Sequence, residues 1–492
     1  MRGLKVLIKK KVTLLLITVM VILSLFAFGG NITNGSYNST AEYVQNFSLS
    51  VNNSSQNHSP PILEDVPTAM HYSNHTKTPY SLPEYSYTNN QADTSKLFHY
   101  AGEPAPMGIV DYGLSTTAAL GHSYDAFTYS TSEFLGKVKI NSLLTLGNAS
   151  VGNSMSIQLN AMLVFNNSGK QYDYWIQDFA ILDTSSKYIT LENNIWNSSW
   201  PGSYIHNSTI SGNGSVHGST PDQGTYYSDD SMLPGSGVDL KFPAAVSLEV
   251  VSFETPTNQP AVSFRYDDGF GWQTYDTVTF KFAHTTLNKG FVVDGNRSTP
   301  GRLDYDAEFV LCGPDLGYTT SVVSCNVDLQ LEFWNGFNFQ AVKNAFDFGS
   351  DTSETISNVT VSNEHFTGNG SLFAEVTKGN GSLQEIYNYQ DVSILIISSL
   401  FPSGTVTIVD QNYNFNQSKL ILTLWPGEYT IELTANFLTT HTQWSTAITL
   451  SSGEDLSISL PTFSIYDTAT IVIFISGVAI LATILVIKRR KK

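Results

Sequence analysis

Between Lys96 and Phe348 the chain alternates short runs of β-branched and aromatic residues with breaks at Gly, Asn and Pro. Such runs include Ser156–Val164, Tyr172–Leu182, Ala244–Phe253, Ala261–Tyr266, Thr277–Ala283, Ala307–Cys312 and Val327–Trp334. Several alternate apolar and polar positions with period two, and none sustains helical spacing. This predicts an all-β body over 96–348, a β-sandwich or jelly-roll-like arrangement. Further strands are expected over 349–402, and a second, small β-sandwich over 403–462 serves as a stalk. Residues 30–95, rich in Asn, Ser, Tyr and Pro, lack sustained periodicity and read as a linker or pro-segment.

The two ends follow a different pattern. Val12–Phe28 is apolar, follows a basic stretch and is followed by small residues, so 1–29 is expected to be a signal peptide. Residues 469–487 are almost all apolar, enough for a helix across roughly 30 Å of hydrocarbon. The basic tail 488–492 would then stay in the cytoplasm. The body is expected outside the cell, held in the plasma membrane by one C-terminal helix or released from it.

Charge adds a condition. Of 25 Lys and Arg residues, ten sit in the two terminal runs, leaving 15 against all 42 acidic residues. A stretch with a net charge of −27 would not attract nucleic acid at neutral pH. Below roughly pH 3 most carboxylates are neutral, and so few basic residues leave little unbalanced charge. Composition therefore points to acid tolerance. Asn-X-Ser/Thr sequons recur, among them Asn31, Asn38, Asn74, Asn148, Asn197, Asn207, Asn296, Asn358 and Asn416, and in an exported chain they are expected to carry N-glycans. Cys312 and Cys325 are the whole cysteine supply. Outside the cell a close pair predicts a disulfide rather than a metal site.

Three stretches together resemble the thermopsin family of acid endopeptidases from acidophilic archaea. They are Ala105-Pro-Met-Gly-Ile-Val-Asp-Tyr-Gly113; Tyr174-Trp-Ile-Gln-Asp178 with Asn194-Ile-Trp-Asn197; and Glu308-Phe-Val-Leu-Cys-Gly-Pro314 with Leu329-Gln-Leu-Glu-Phe-Trp-Asn-Gly336. The resemblance covers about half the chain and implies peptide-bond hydrolysis outside the cell at strongly acidic pH, with proteins as substrates and no metal or other cofactor. The family's Gly-rich turn is replaced here by Cys312-Gly-Pro-Asp-Leu-Gly317. Separately, Trp425-Pro-Gly-Glu-Tyr-Thr-Ile431 resembles the small β-sandwich module named for its Pro-Glu-Gly-Ala repeat.

Hydrolysis in acid needs a group still partly deprotonated there to activate water, which carboxyl pairs supply, or a Glu beside a water-orienting Gln. A protonated imidazole cannot act as base. The pepsin-type Asp-Thr/Ser-Gly motif is absent, and Asp183, in Asp-Thr-Ser, reads as a turn residue. Glu308 is the leading catalytic candidate. A hairpin joining Cys312 to Cys325 would set it opposite Leu329, on a face with Val310, Val327 and Leu331, and Glu332 on the other face. Asp111, Gln177 and Asp178 are candidate partners; Gln177 shares a face with Trp175 and Phe179, Asp178 with Tyr174 and Ile176. Tyr112, Trp175, Trp272 and Trp334 are candidate substrate-binding aromatics. Asp267, Asp268 and Asp276 flank an aromatic turn that could form a substrate wall. The rival reading is a non-enzymatic surface-layer or carbohydrate-binding β-protein.

Overall fold

The computed structural model describes residues 86–91 and, with short gaps, 104–459. The expected signal peptide and membrane helix lie outside the described residues, as does most of 30–95. Among the described residues there is no helix, and none long and apolar enough to cross a membrane. The all-β expectation holds.

The strands that build the body are labelled in chain order, and shorter ones are named by residue. They are β1 Met107–Asp111, β2 Tyr124–Thr131, β3 Glu133–Leu146, β4 Ser154–Asn167, β5 Lys170–Asp183, β6 Tyr188–Asn197 and β7 Tyr226–Asp229. There follow β8 Ala244–Glu254, β9 Pro260–Asp267, β10 Gln273–Phe280, β11 Thr285–Asp294, β12 Ala307–Cys312, β13 Thr319–Trp334 and β14 Ala345–Phe348. One sheet runs Ser215–His217, β7, β6, β5, β4, β12, β1, β14, Glu385–Tyr387, with β11 pairing both β4 and β2. The other runs Ile210–Ser211, β10, β9, β8, β3, β13, Ala374–Lys378, Val359–Ser362. Ser86–Gln91, within the predicted linker, pairs antiparallel with β2. Polar side chains hid that strand from a hydrophobicity reading.

The two sheets pack face to face. On β12, Ala307, Phe309 and Leu311 point toward the second sheet, and Glu308, Val310 and Cys312 point to the opposite face. The Phe309 ring lies directly over Gly136 of β3, where an added Cβ would stand 2.3 Å from ring carbons. Ile157, Leu159 and Ala161 on β4 and Val138 and Ile140 on β3 extend this buried layer. Both faces of β12 are buried, which explains its near-continuous apolar run around one Glu.

A tight turn sets the register of the central hairpin. Ser168 and Gly169 both have positive φ, 52° and 78°, as a two-residue turn joining right-twisted strands requires. Asn167 thereby pairs with Lys170, and by the same register Asn160 pairs with Gln177.

Two sequence expectations are corrected here. Cys312 and Cys325 are free thiols, not a disulfide. They end on strands of different sheets, Cys312 beside Ser156 Oγ at 3.2 Å and Cys325 donating to the Val376 carbonyl at 3.2 Å. For the same reason β12 and β13 form no hairpin. Glu308 faces Asn160 and Val110 in register, not Leu329, and Val327, Leu329 and Leu331 belong to the other sheet. C-terminal to the body, sheets of three and four strands between Ser393 and Ser459 enclose a second apolar cluster around Leu395, Val406, Leu422 and Ile431.

Buried thiols are raised in pKa by desolvation, Cys325 to about 12 and Cys312 well above its ordinary value. Neither should react with a thiol reagent in the native protein, and both should react after unfolding without reductant; titration with a chromogenic disulfide checks this. Gly136→Ala should destabilise by roughly 1–3 kcal/mol through overpacking against Phe309, read as a lowered midpoint in denaturant.

Candidate active site

The candidate face is the side of the first sheet turned away from the second. Strand β4 carries Ser156, Gln158 and Asn160 at every second position, so all three lie on that face. Their neighbours across β12 and β5 are Glu308 and Gln177, each directly opposite Asn160. Glu308 is fully buried, and Asn160 donates an N–H to its Oε2 at 3.0 Å. Asn160 Nδ2 also donates to Gln158 Oε1 at 3.3 Å, and Gln177 Nε2 reaches the same oxygen at 3.4 Å. Gln158 Nε2 in turn donates to Ser156 Oγ at 3.1 Å, and that hydroxyl donates to the Gly313 carbonyl at 2.6 Å. On β6, Trp196 donates its indole N–H to Gln177 Oε1 at 3.0 Å. One carboxyl is thus linked to three side-chain amides across three adjacent strands, and to an indole on a fourth.

Several features suit this face to a ligand. Asn160 Oδ1 and Trp175 Nε1 are buried with no hydrogen-bond partner among the described residues, one an acceptor and one a donor. Gly349 lies beside Glu308, where an added Cβ would come 3.0 Å from Oε1 and crowd that oxygen. Trp196 stacks on Tyr226 at 4.7 Å and Tyr226 on His217 at 5.1 Å, forming an aromatic row along one side. Trp196 is 37% exposed while Gln177 is 7%, so the row is the accessible margin of a nearly buried polar centre. Val310 and Val110 add apolar neighbours.

The other predicted residues lie elsewhere. Asp111 pairs in register with Ala307, and its side chain projects to the face opposite Glu308. It accepts from Tyr129 Oη at 2.9 Å and from the Gly113 N–H at 2.9 Å, and burial pushes it up to about 7. No Asp111–Glu308 pair forms. Asp178, next to Gln177, points between the sheets and accepts from Tyr275 Oη at 2.7 Å; its second oxygen has no partner among the described residues. Asp276 is also internal, held by Asn193 at 3.0 Å and Tyr227 at 2.9 Å. Asp183 caps its own turn through Ser185. Asp267 and Asp268 bond the turn N–H groups of Gly269, Gly271 and Phe270. Glu332 is ion-paired to Lys137 at 2.7 Å on the outer side of the second sheet.

Among the aromatics, Trp175 lies on the candidate face, packed with Met162, Val164, Val292 and Tyr305. Tyr112 is a fully buried core residue that donates to the Phe348 carbonyl. Trp272 stacks on Arg265 in the second sheet, and Trp334 packs edge-on against Phe339. Asn160, Gln158 and Trp196 were not singled out by sequence reasoning. The signal was present in Ser154-Met-Ser-Ile-Gln-Leu-Asn160, where amides and hydroxyls alternate with apolar residues on a strand otherwise buried.

The internal carboxyls share one electrostatic consequence. Burial raises Asp111 to about 7, Asp178 well above its usual value, and Asp276 upward. Glu133 and Glu249, two close acids near Arg265, are raised to about 7 and about 8, chiefly by burial. A carboxyl whose folded pKa exceeds its unfolded value binds protons more tightly when folded. Its contribution is complete below about pH 4 and disappears as pH rises through the folded value. The melting temperature should therefore be higher at pH 3–4 than at pH 8, with the loss between about pH 4 and 8, and Asp178→Asn should flatten that dependence; thermal melts by circular dichroism across this range are the check.

A family model described as Thermopsin matches residues 93–359. Thermopsin from Sulfolobus acidocaldarius is 29% identical over 271 residues, covering 53% of this chain and 77% of that protein. A crystal structure of Scytalido-glutamic peptidase with a peptide-based transition-state analogue aligns with a TM-score of 0.26 and 9% identity, covering 56% of this chain and 98% of the other. Because the family model spans more than half of the sequence, including every strand that carries the amide ladder, the chain belongs to the thermopsin family.

Proposed function

We propose that this protein is an endopeptidase working in strong acid, with Glu308 as its proton-transfer group. The observation that carries the reading is the buried Glu308 carboxyl hydrogen-bonded into the Asn160–Gln158–Gln177 amide ladder. Family membership supports a peptidase. Glu308 would accept a proton from water as the water oxygen attacks the peptide carbonyl carbon. It would then return that proton to the amide nitrogen as the C–N bond breaks. Gln177 bonds Gln158 through one N–H and keeps the other for the developing oxyanion, a stabilisation often worth about 2–4 kcal/mol. The step needs only water, carboxyl and amide groups, and none of these loses its function by protonation of an imidazole.

The cellular setting belongs to the same proposal. The apolar segment 469–487 with its basic tail and the signal-like 1–29 support an exported body anchored in the membrane. Exposed Asn207 and Asn296 support N-glycosylation. The resemblance of 425–431 to the Pro-Glu-Gly-Ala module supports a stalk role for the C-terminal sheets. Internal carboxyls that favour the folded state when protonated support an acidic working range.

Purified protein incubated with a denatured protein substrate should cleave it at pH 2–3 and much less at pH 7, followed by gel electrophoresis and mass spectrometry of the products. Glu308→Gln should reduce kcat by at least about 1000-fold and Gln177→Met by about 10–100-fold. Asp178→Asn should retain turnover while altering thermal stability. Full activity in a folded Glu308→Gln protein would remove the assignment.

A further inference from the structure

We infer that Trp196 is a positioning residue whose indole N–H fixes the orientation of Gln177 and, through the shared acceptor Gln158 Oε1, steadies the Asn160 amide on Glu308. The inference rests on the proposed peptidase site. A side-chain amide can turn end for end, exchanging an acceptor for a donor of nearly equal shape. Three such groups meet at Gln158 Oε1, which accepts from both Gln177 and Asn160, so the relay holds only while those two keep their N–H ends turned to that oxygen.

Both ends of the relay have single-role chemistry. The Trp196 indole can only donate, and it meets Gln177 Oε1 at 3.0 Å. The Gly313 carbonyl can only accept, and it meets the Ser156 hydroxyl at 2.6 Å. With Oε1 held by the indole, Gln177 must turn Nε2 toward Gln158 Oε1. With its proton committed to Gly313, Ser156 must accept from Gln158 Nε2 at 3.1 Å. Gln158 Oε1 then faces Asn160, so Asn160 presents Nδ2 to that oxygen and to Glu308 Oε2. Turning Gln177 alone would set two donors against each other at Trp196 and two acceptors against each other at Gln158. The relay therefore delivers an N–H to Glu308, and leaves Asn160 Oδ1 as the acceptor without a partner among the described residues.

The position of Trp196 suits this role. It pairs in register with Trp175, so Gln177 lies diagonally two residues along on the same face, within reach of the indole. Stacking on Tyr226, with the planes 26° apart, holds the ring. Gln177 is thus gripped by a side chain that is itself clamped and stands at the accessible margin of the site.

The test uses the full-length protein. Trp196→Phe keeps an aromatic ring against Tyr226 and removes only the donor. Its kcat should fall about 10–100-fold with KM within about twofold, because orientation rather than binding is lost. Trp196→His restores a ring N–H and should recover at least about threefold of that loss, although its ring is the smaller. A stacking role alone predicts the reverse order, with Phe near wild type and His impaired, and that order would overturn the inference. A second arm needs no catalysis. With 15N-labelled Asn and Gln side chains, Trp196→Phe should shift the amide resonances of Gln177 and also of Asn160, and Gln177→Met should shift the indole N–H. An unmoved Asn160 amide would overturn the relay even in an active enzyme. If wild-type protein cleaves nothing at any pH, the peptidase reading fails by itself, and the amide arm still decides the relay.

Discussion

The ring of Phe309 resting on the bare backbone of Gly136 is the contact on which the site depends. It locks β12 against the second sheet at one residue and in one register. Since strand side chains alternate, fixing Phe309 inward fixes Glu308 outward. A slip of one residue would bury Glu308 among the apolar layers and turn Phe309 onto the polar face. Glu308 would then lose its Asn160 donor and Phe309 its seat on Gly136, so the alternation is strongly specified.

Two kinds of buried polar group follow from that geometry. Between the sheets lie Asp178 and Asp276, each anchored by tyrosine hydroxyls, and Asp111, bonded by Tyr129. These carboxyls are stable when neutral and bind their neighbours as structural polar contacts. On the outer face, Glu308 instead accepts an N–H from Asn160, whose amide also donates to Gln158. Acidic residues of similar burial are thereby divided by the face they occupy, between the sheets or beside the amide ladder. With so few Lys and Arg residues, protonating the carboxyls leaves little net charge to repel.

Much of the fold was legible in the residues. Period-two alternation identified the strands, and it correctly placed Gln177 on a face with Trp175 and Phe179 and Asp178 on the opposite one. The site was legible only in fragments. Glu308 and Gln177 were visible as candidates, but nothing local says that they flank one residue, Asn160. The cysteine pair misled for a related reason. Thirteen residues of separation suggested a hairpin, whereas the chain passes from one sheet to the other between Cys312 and Cys325, so their closeness in sequence has no counterpart in pairing. Asn160 and Gln158 were overlooked because amides on a strand ordinarily mark a solvated face, and here that face is buried.

The sequence by itself determined the all-β class, the alternation of each strand and the family, since these depend on side-chain type and short-range spacing. Tertiary structure decided which strands are neighbours. It set β4 between β12 and β5, and so brought Glu308, Asn160 and Gln177 together from positions 148 and 17 residues apart. Strand order depends on how whole faces bury against one another. That free energy is summed over two sheets, and no local stretch of sequence contains it.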